Sequence, residues 1–186
     1  MRLTIISPLF PPDTAPCAVY TKILLNKLAS ANTSVRGVVY GHIPESVPEV
    51  TITSVPKRHY VGWRLLRMMH ALRTETAAAD VFVLCNGPSV EVSFSMVQLL
   101  TRTPYIFIIS DAQADATSST SWWKNKLKQH LTHNALGTLE ISGEILKYCP
   151  PEIHPLLPHS EIAMQQWDAV WETHVTKILN LVHDKQ

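Results

Sequence analysis

Short unbroken apolar runs alternate along this chain with segments whose apolar residues recur every three or four positions. The runs are RLTIIS (2–7), SVRGVVY (34–40), VTITSV (50–55), DVFVLC (80–85), YIFII (105–109) and LGTLEI (136–141). Runs of this length and β-branched content read as strands, most of them covered on both faces. The run at 50–55 is less apolar and suits a sheet edge. Helices are predicted between the runs, over 17–30, 62–77 and 90–101 and around 123–131. Val19, Ile23, Leu24 and Leu28 stripe the first helix. Leu65, Met69 and Leu72 stripe the second, with Arg64, Arg67 and Arg73 largely elsewhere. Trp123, Leu127 and Leu131 stripe the fourth. Such alternation implies one α/β domain: a mainly parallel sheet of about six strands with helices on both faces.

Local signals set the boundaries. Pro16 suits the first position of a helix. Ser89 reads as an N-cap, and Ser142 as the cap of a short helix to Tyr148. The proline-rich PPEIHPLLP makes 150–160 a connector between a domain over 1–149 and a closing helix within 161–186. That helix carries Trp167, Val170, Trp171, His174, Ile178 and Val182 on one face. Two tryptophans on one face need cover, so the helix is expected to fold back on the domain and to mark a natural end.

At 186 residues there is room for one such domain and not for two. Hydrophobic residues make up 46% and charged ones only 17%. The low charge leaves room for a buried partner face. A net charge of +1 lacks the basic footprint of a nucleic-acid-binding domain. Cys17, Cys85 and Cys149 are odd in number and widely spaced, which suits a reducing, cytoplasmic compartment rather than a disulfide framework. The N-terminal run is short and meets prolines without a small-residue cleavage site, so it reads as a strand and not a signal peptide. His130 and His133 share a helix face but have no third metal ligand nearby in sequence. Gly-x-Gly-x-x-Gly and phosphate-loop motifs are absent, so neither a dinucleotide nor ATP hydrolysis is expected.

In a parallel sheet the functional loops follow the carboxyl ends of the strands. Those loops are 8–16, 41–49, 86–89 and 110–120. Asp13 and Thr14 precede a helix N-terminus, where they either cap it or border an anion site. Asn86, Gly87 and Ser89 form either a capped turn or a close backbone approach to a ligand. Asp111 directly follows a buried strand. It is a candidate general base or holder of a sugar hydroxyl, with a cap as the simpler role. Asp115 is a further carboxylate in that loop. Lys57, Arg58, Arg64, Arg67 and Arg73 form the main basic cluster, suited to anionic lipid or phosphate or to a solvated face. Lys124, Lys126 and Lys128 are a second, looser group.

The opening RLTIISPLFPPDTAPCAVYTKILLNKLA resembles that of family-four GT-B glycosyltransferases: a strand, Ser-Pro-x-x-Pro-Pro-Asp/Glu, then a helix ending in Leu-Ala. SVRGVVYG, ADVFVLCNGPS, TRTPYIFIISDAQ and LEISGEILKY follow in that family's order, so the likeness runs from Met1 to about Tyr148. It implies a Rossmann-like acceptor-side domain, the donor side being a second Rossmann domain that is not among these residues. It also implies retaining transfer of a sugar from a nucleotide sugar as co-substrate, with no metal and no cofactor. Asp111 would be catalytic. Asp13, Thr14, Ala15, Asn86, Gly87, Ser89 and Ser110 would bind acceptor or phosphate. Implied partners are a separate donor-domain subunit or a second copy, a glycan or lipid-linked acceptor, and peripheral contact with the inner membrane face.

Two positions depart from the family. Ala15 and Pro16 stand where a Gly-Gly pair is frequent, and Ser110 replaces a histidine. With the donor domain missing, activity alone is not expected. The competing expectation is a non-catalytic module that holds a glycan or lipid acceptor. A receiver-like domain would need acids after the first strand, where Ser7, Pro8 and Leu9 stand.

Overall fold

The computed structural model describes residues 1–31, 33–41, 43–57, 60–110, 122–141 and 161–183. Its strands are β1 (Arg2–Ser7), β2 (Ser34–Tyr40), β3 (Thr51–Val55), β4 (Val81–Cys85), β5 (Tyr105–Ser110) and β6 (Gly137–Ile141). Its helices are α1 (Pro16–Ser30), α2 (Val61–Thr76), α3 (Pro88–Thr101), α4 (Trp122–Asn134) and α5 (Glu161–His183). The strands form one sheet in the order β3-β2-β1-β4-β5-β6, and every pairing is parallel. This is the strand order of a doubly wound Rossmann-type sheet. Helix α2 carries the chain from the β3 edge back past β2 and β1, which places β4 beside β1. The direction of winding therefore reverses between β1 and β4, with Ile5 paired to Gly37 on one side and to Val83 on the other.

Both sheet faces are covered, which is why β1 and β4 are buried almost without a break. Leu3, Ile5, Val83 and Ile108 point into a core with α1 and α5. Ile6, Val38, Phe82 and Phe107 point into a second core with α2, α3 and α4. The 50–55 run is an edge strand, as its sparser apolar pattern implied.

Helix α5 folds back on the domain. Trp171 is fully buried against Tyr20 of α1, ring centroids 5.3 Å apart. His174 Nε2 lies 2.6 Å from the Tyr20 hydroxyl. At the rim, Lys27 pairs with Asp168 at 2.6 Å and sits 4.9 Å from the centre of the Trp167 ring. Toward its far end Leu181 lies over Gly137 of β6. The helix thus spans the face from α1 to the β6 edge. It covers strands that α1 leaves bare.

Two expectations are corrected. Ser89 does not cap α3. The helix starts a residue earlier at Pro88 with Gly87 as N-cap, because proline fits the first helical turn. The inner stripe of α2 is Met68, Leu72 and Glu75, with Leu65 and Met69 only half-buried. Arg64 turns inward over the Tyr40 ring at 5.7 Å. Glu75 is buried because Arg36 of β2 reaches it at 3.2 Å. No periodicity could signal that cross-element ion pair.

Candidate functional site

Parallel strands bring their carboxyl ends to one edge, and the loops after β1, β2, β3 and β4 meet there. The close contact is at the reversal point. A Cβ placed on Gly87 would lie 2.7 Å from both Cβ and Cγ of Pro8. Glycine is therefore needed where the β4–α3 turn crosses the β1–α1 loop. The Gly87 N–H donates to Glu91 Oε1 at 2.9 Å, which fixes the turn from the helix side. The Asn86 N–H donates to Ile108 O at 2.9 Å and extends the β4–β5 ladder by a residue. Ser89 is half-buried in the first turn of α3, where its carbonyl accepts from the Ser93 hydroxyl at 3.0 Å.

A packing prediction follows from this crossing. Gly87→Ala is expected to destabilise the domain by about 1–3 kcal/mol, because a proline ring cannot yield by a rotamer change. Gly137→Ala also meets atoms under 3.0 Å away, but these are the methyls of Leu181. They can swing aside, so the expected loss is less than about 1 kcal/mol. Urea denaturation of the two variants tests the contrast.

Asp13 lies on the other arm of the site. Its Oδ1 accepts the Ala15 N–H at 3.1 Å, and its Oδ2 lies 3.5 Å from Lys57 Nζ beyond β3. Both partners are more than a third exposed, so the pair contributes at most about 1 kcal/mol and leaves both charges open to a ligand. The Glu45 N–H donates to Pro11 O at 3.1 Å, and Lys22 pairs with Glu45 at 2.5 Å. The first contact holds the 8–15 loop, and the second α1, against the β2–β3 connection. Thr14 is exposed and Ala15 half-buried. Ala15 is the α1 N-cap without a side-chain cap bond, and Pro16 follows as the first helical residue.

Beneath this loop lies a buried polar cluster. The Ser7 and Thr21 hydroxyls are 2.8 Å apart, with Cys17 Sγ 3.6 Å from Ser7 and Cys85 Sγ 4.0 Å from Thr21. The Cys17 thiol beside it and burial push the Cys85 thiol well above its ordinary range. It stays a neutral thiol at physiological pH and is no nucleophile.

Of the residues singled out by sequence, the structure brings Asn86, Gly87 and Ser89 together with the start of the 8–15 loop. It draws the Asp13 carboxylate toward β3. Ser110 ends β5, where its main chain pairs with Ile141 of β6. At about 4.8 Å per strand and about 3.3 Å per residue, its main chain lies two strands across and two residues beyond the end of β1, about 12 Å away. Asp111 and Asp115 lie outside the described residues, as do Arg58, the 142–148 segment and the 150–160 connector.

Sequence reasoning missed the positions of Lys57, Pro8 and Tyr40 in this edge. Lys57 follows the β3 end by two residues, which is the signal that would have placed it here. Tyr40 ends β2 and is 2% exposed. Burial raises the pKa of its hydroxyl, opposed by Ser93 and by the Arg64 guanidinium.

No family model matches the chain, and no curated protein matches it. Among solved structures, it is similar to the C-terminal domain of the coenzyme A biosynthesis bifunctional protein CoaBC. The TM-score is 0.48 at 10% identity, over 76% of this chain and 77% of that one. The parallel pairing and strand order make the chain a single Rossmann-type α/β domain.

Proposed function

We propose that this domain is the acceptor-side half of a sugar-nucleotide-dependent glycosyl transfer of the GT-B, family-four kind, working with a separate donor-binding partner. The observation that carries this is the reversal point itself. There the SPLFPPD loop after β1 crosses the NGPS turn after β4, with Pro8 on Gly87. Those are two of the segments in which the sequence resembles that family. A ligand held at this edge would meet the Asp13–Lys57 pair on one side and the β5 end, with Asp111 after it, on the other. Asp111 would take the acceptor hydroxyl proton or hold a sugar hydroxyl. The reading places the domain in the cytoplasm.

A second reading, a non-catalytic glycan- or lipid-acceptor-binding module, has its own support. Proline at the first position of α1 removes an N–H from the helix end, and the Ala15 Cβ limits backbone approach to a diphosphate. Both features weaken an anion site without harming the frame.

Titration calorimetry with UDP- and GDP-sugars separates the two, using the domain alone and mixed with a lone donor domain encoded beside it. Transfer by the mixture, lost in Asp111→Ala without loss of folding, supports the first reading. Wild-type activity in Asp111→Ala removes that residue from the mechanism. Glycan binding by the domain, with no nucleotide-sugar binding in either case, supports the module.

A further inference from the structure

A second concave site lies at the edge where the strands begin, opposite the loops of the candidate site. There α3 ends at Thr101 and α4 at Asn134, both close to the first residue of β5. The two helix ends and Tyr105 enclose a cavity of about 330 Å³, lined by Ser95, Gln98, Arg102, Tyr105, His130 and Asn134. The turns beside it, 102–104 and 135–136, are described throughout. The undescribed residues before α4 join it at Trp122, about 18 Å along the helix from Asn134.

Two buried polar atoms of these lining residues, Ser95 Oγ and Gln98 Oε1, have no hydrogen-bond partner among the described residues. Gln98 Nε2 donates to Thr103 O at 2.7 Å, which fixes the amide and leaves Oε1 as an acceptor without a donor. A buried acceptor left so costs free energy unless something supplies the proton. Asn134 Nδ2 donates to His130 O at 2.8 Å and lies 3.2 Å from His130 Nδ1. Nδ1 is therefore the acceptor, and the proton of the neutral ring sits on Nε2. Arg102 makes no ion pair with a described residue. It closes α3 in the left-handed region at φ 53°, where glycine is the usual residue.

These groups fall into two sets of opposite kind. Gln98 Oε1 accepts, and so do the last carbonyls of α3 and α4, whose ends carry partial negative charge. Arg102, the Ser95 hydroxyl and His130 Nε2 donate. A bare anion answers only the donors, and a bare amine only the acceptors. A zwitterion answers both. An apolar groove between α3 and α4, lined by Val92, Met96, Trp123 and Leu127, shares Ser95 and His130 with the cavity and so opens off it.

We infer that this cavity binds a free α-amino acid with an apolar side chain. The ammonium group donates to Gln98 Oε1 and faces the helix ends. The carboxylate accepts from Arg102 and Ser95, and the side chain enters the groove. The cavity is at the lower end of the about 300–1,000 Å³ usual for small-molecule sites, which suits a ligand of this size. Binding here does not depend on glycosyl transfer at the other edge.

The test is titration calorimetry of the full chain with L-leucine, its hydroxy analogue leucic acid, isocaproate without the amine and isoamylamine without the carboxylate. L-Leucine is expected to bind with a Kd below about 1 mM. Isocaproate and isoamylamine should each bind at least about tenfold more weakly, the factor that one hydrogen bond contributes. Leucic acid keeps a donor without the charge and should fall between. Arg102→Gln should weaken leucine about a hundredfold, because a charge-assisted bond is about twice as strong, and leave isoamylamine unchanged. Gln98→Leu should weaken leucine and isoamylamine alike and leave isocaproate unchanged. Thermal melts show whether each variant folds, and Arg102 is exposed, so its variant keeps the test open if Gln98→Leu does not fold. Absence of leucine binding at about 10 mM would overturn the inference. So would isocaproate or isoamylamine binding as tightly as leucine, or unaltered leucine binding by Arg102→Gln.

Discussion

Trp171→Ala is expected to destabilise the domain by about 3–5 kcal/mol. Against a typical stability of about 5–15 kcal/mol this is a large share, enough to unfold a marginal domain. Trp171 is fully buried and packs on Tyr20 at 5.3 Å and on Trp167 at 5.9 Å. Its indole N–H has no hydrogen-bond partner among the described residues, so the loss is attributed to the cavity. Trp171→Phe should therefore recover most of the stability. The cavity would lie between α5 and α1, and the α5 segment should become the first site of proteolysis. Urea denaturation followed by far-ultraviolet circular dichroism gives the magnitude. A change below about 1 kcal/mol would mean that α5 is not part of the cooperative unit.

The same contact should make stability depend on pH. His174 is 6% exposed, and burial, followed by the charge of Lys177, lowers its pKa to about 4. Tyr20 beside it is held neutral, its pKa raised by burial and by the neighbouring Cys85 and Cys17. The unfolded chain takes up a proton near the ordinary histidine value of about 6.5, whereas the folded one resists until about 4. Protonation therefore favours unfolding. The contribution is fully present above pH 6.5 and is lost as pH falls through 4. Each pH unit between these values removes about 1.4 kcal/mol, for a total of about 3 kcal/mol. His174→Leu should be flatter than wild type across this window, although other groups still titrate. The difference between the two denaturation series isolates the histidine. Parallel curves would show that His174 is not protected from protonation in the folded state.

Both predictions concern α5, and its case shows how far the sequence reaches. The spacing of Trp167, Trp171, His174, Ile178 and Val182 identified the helix and its buried face, because helical period is a local property. It also required cover. It did not name Tyr20, which is 154 positions from His174 and meets it only through the sheet. Nor did it separate Trp171, which is sealed, from Trp167, which is left at the rim beside Lys27. Burial depends on what lies opposite, and that is a property of the packed molecule.

The candidate site divides in the same way. Strands followed by turn residues were legible, so the sequence located the loops that can bear function, and in parallel pairing these gather at one edge. The pairing of Pro8 with Gly87 was not legible, since an ordinary turn glycine and one pressed by a proline ring look alike in sequence. The Asp13–Lys57 contact was hidden because β2 and β3 must first lie side by side. Arg64 was assigned outward by helical phase, yet its long side chain bends over Tyr40, a contact that phase does not encode.

By itself, then, the sequence determined the α/β class, the strands and their intervening helices, and the loops that follow the strands' carboxyl ends. These follow from local periodicity and from residues that start or stop elements. Only the tertiary structure decided the order β3-β2-β1-β4-β5-β6, the crossing at Gly87 and the seat of α5 on α1. Each joins residues far apart in the chain. Such neighbours arise only when both faces of the sheet are covered together.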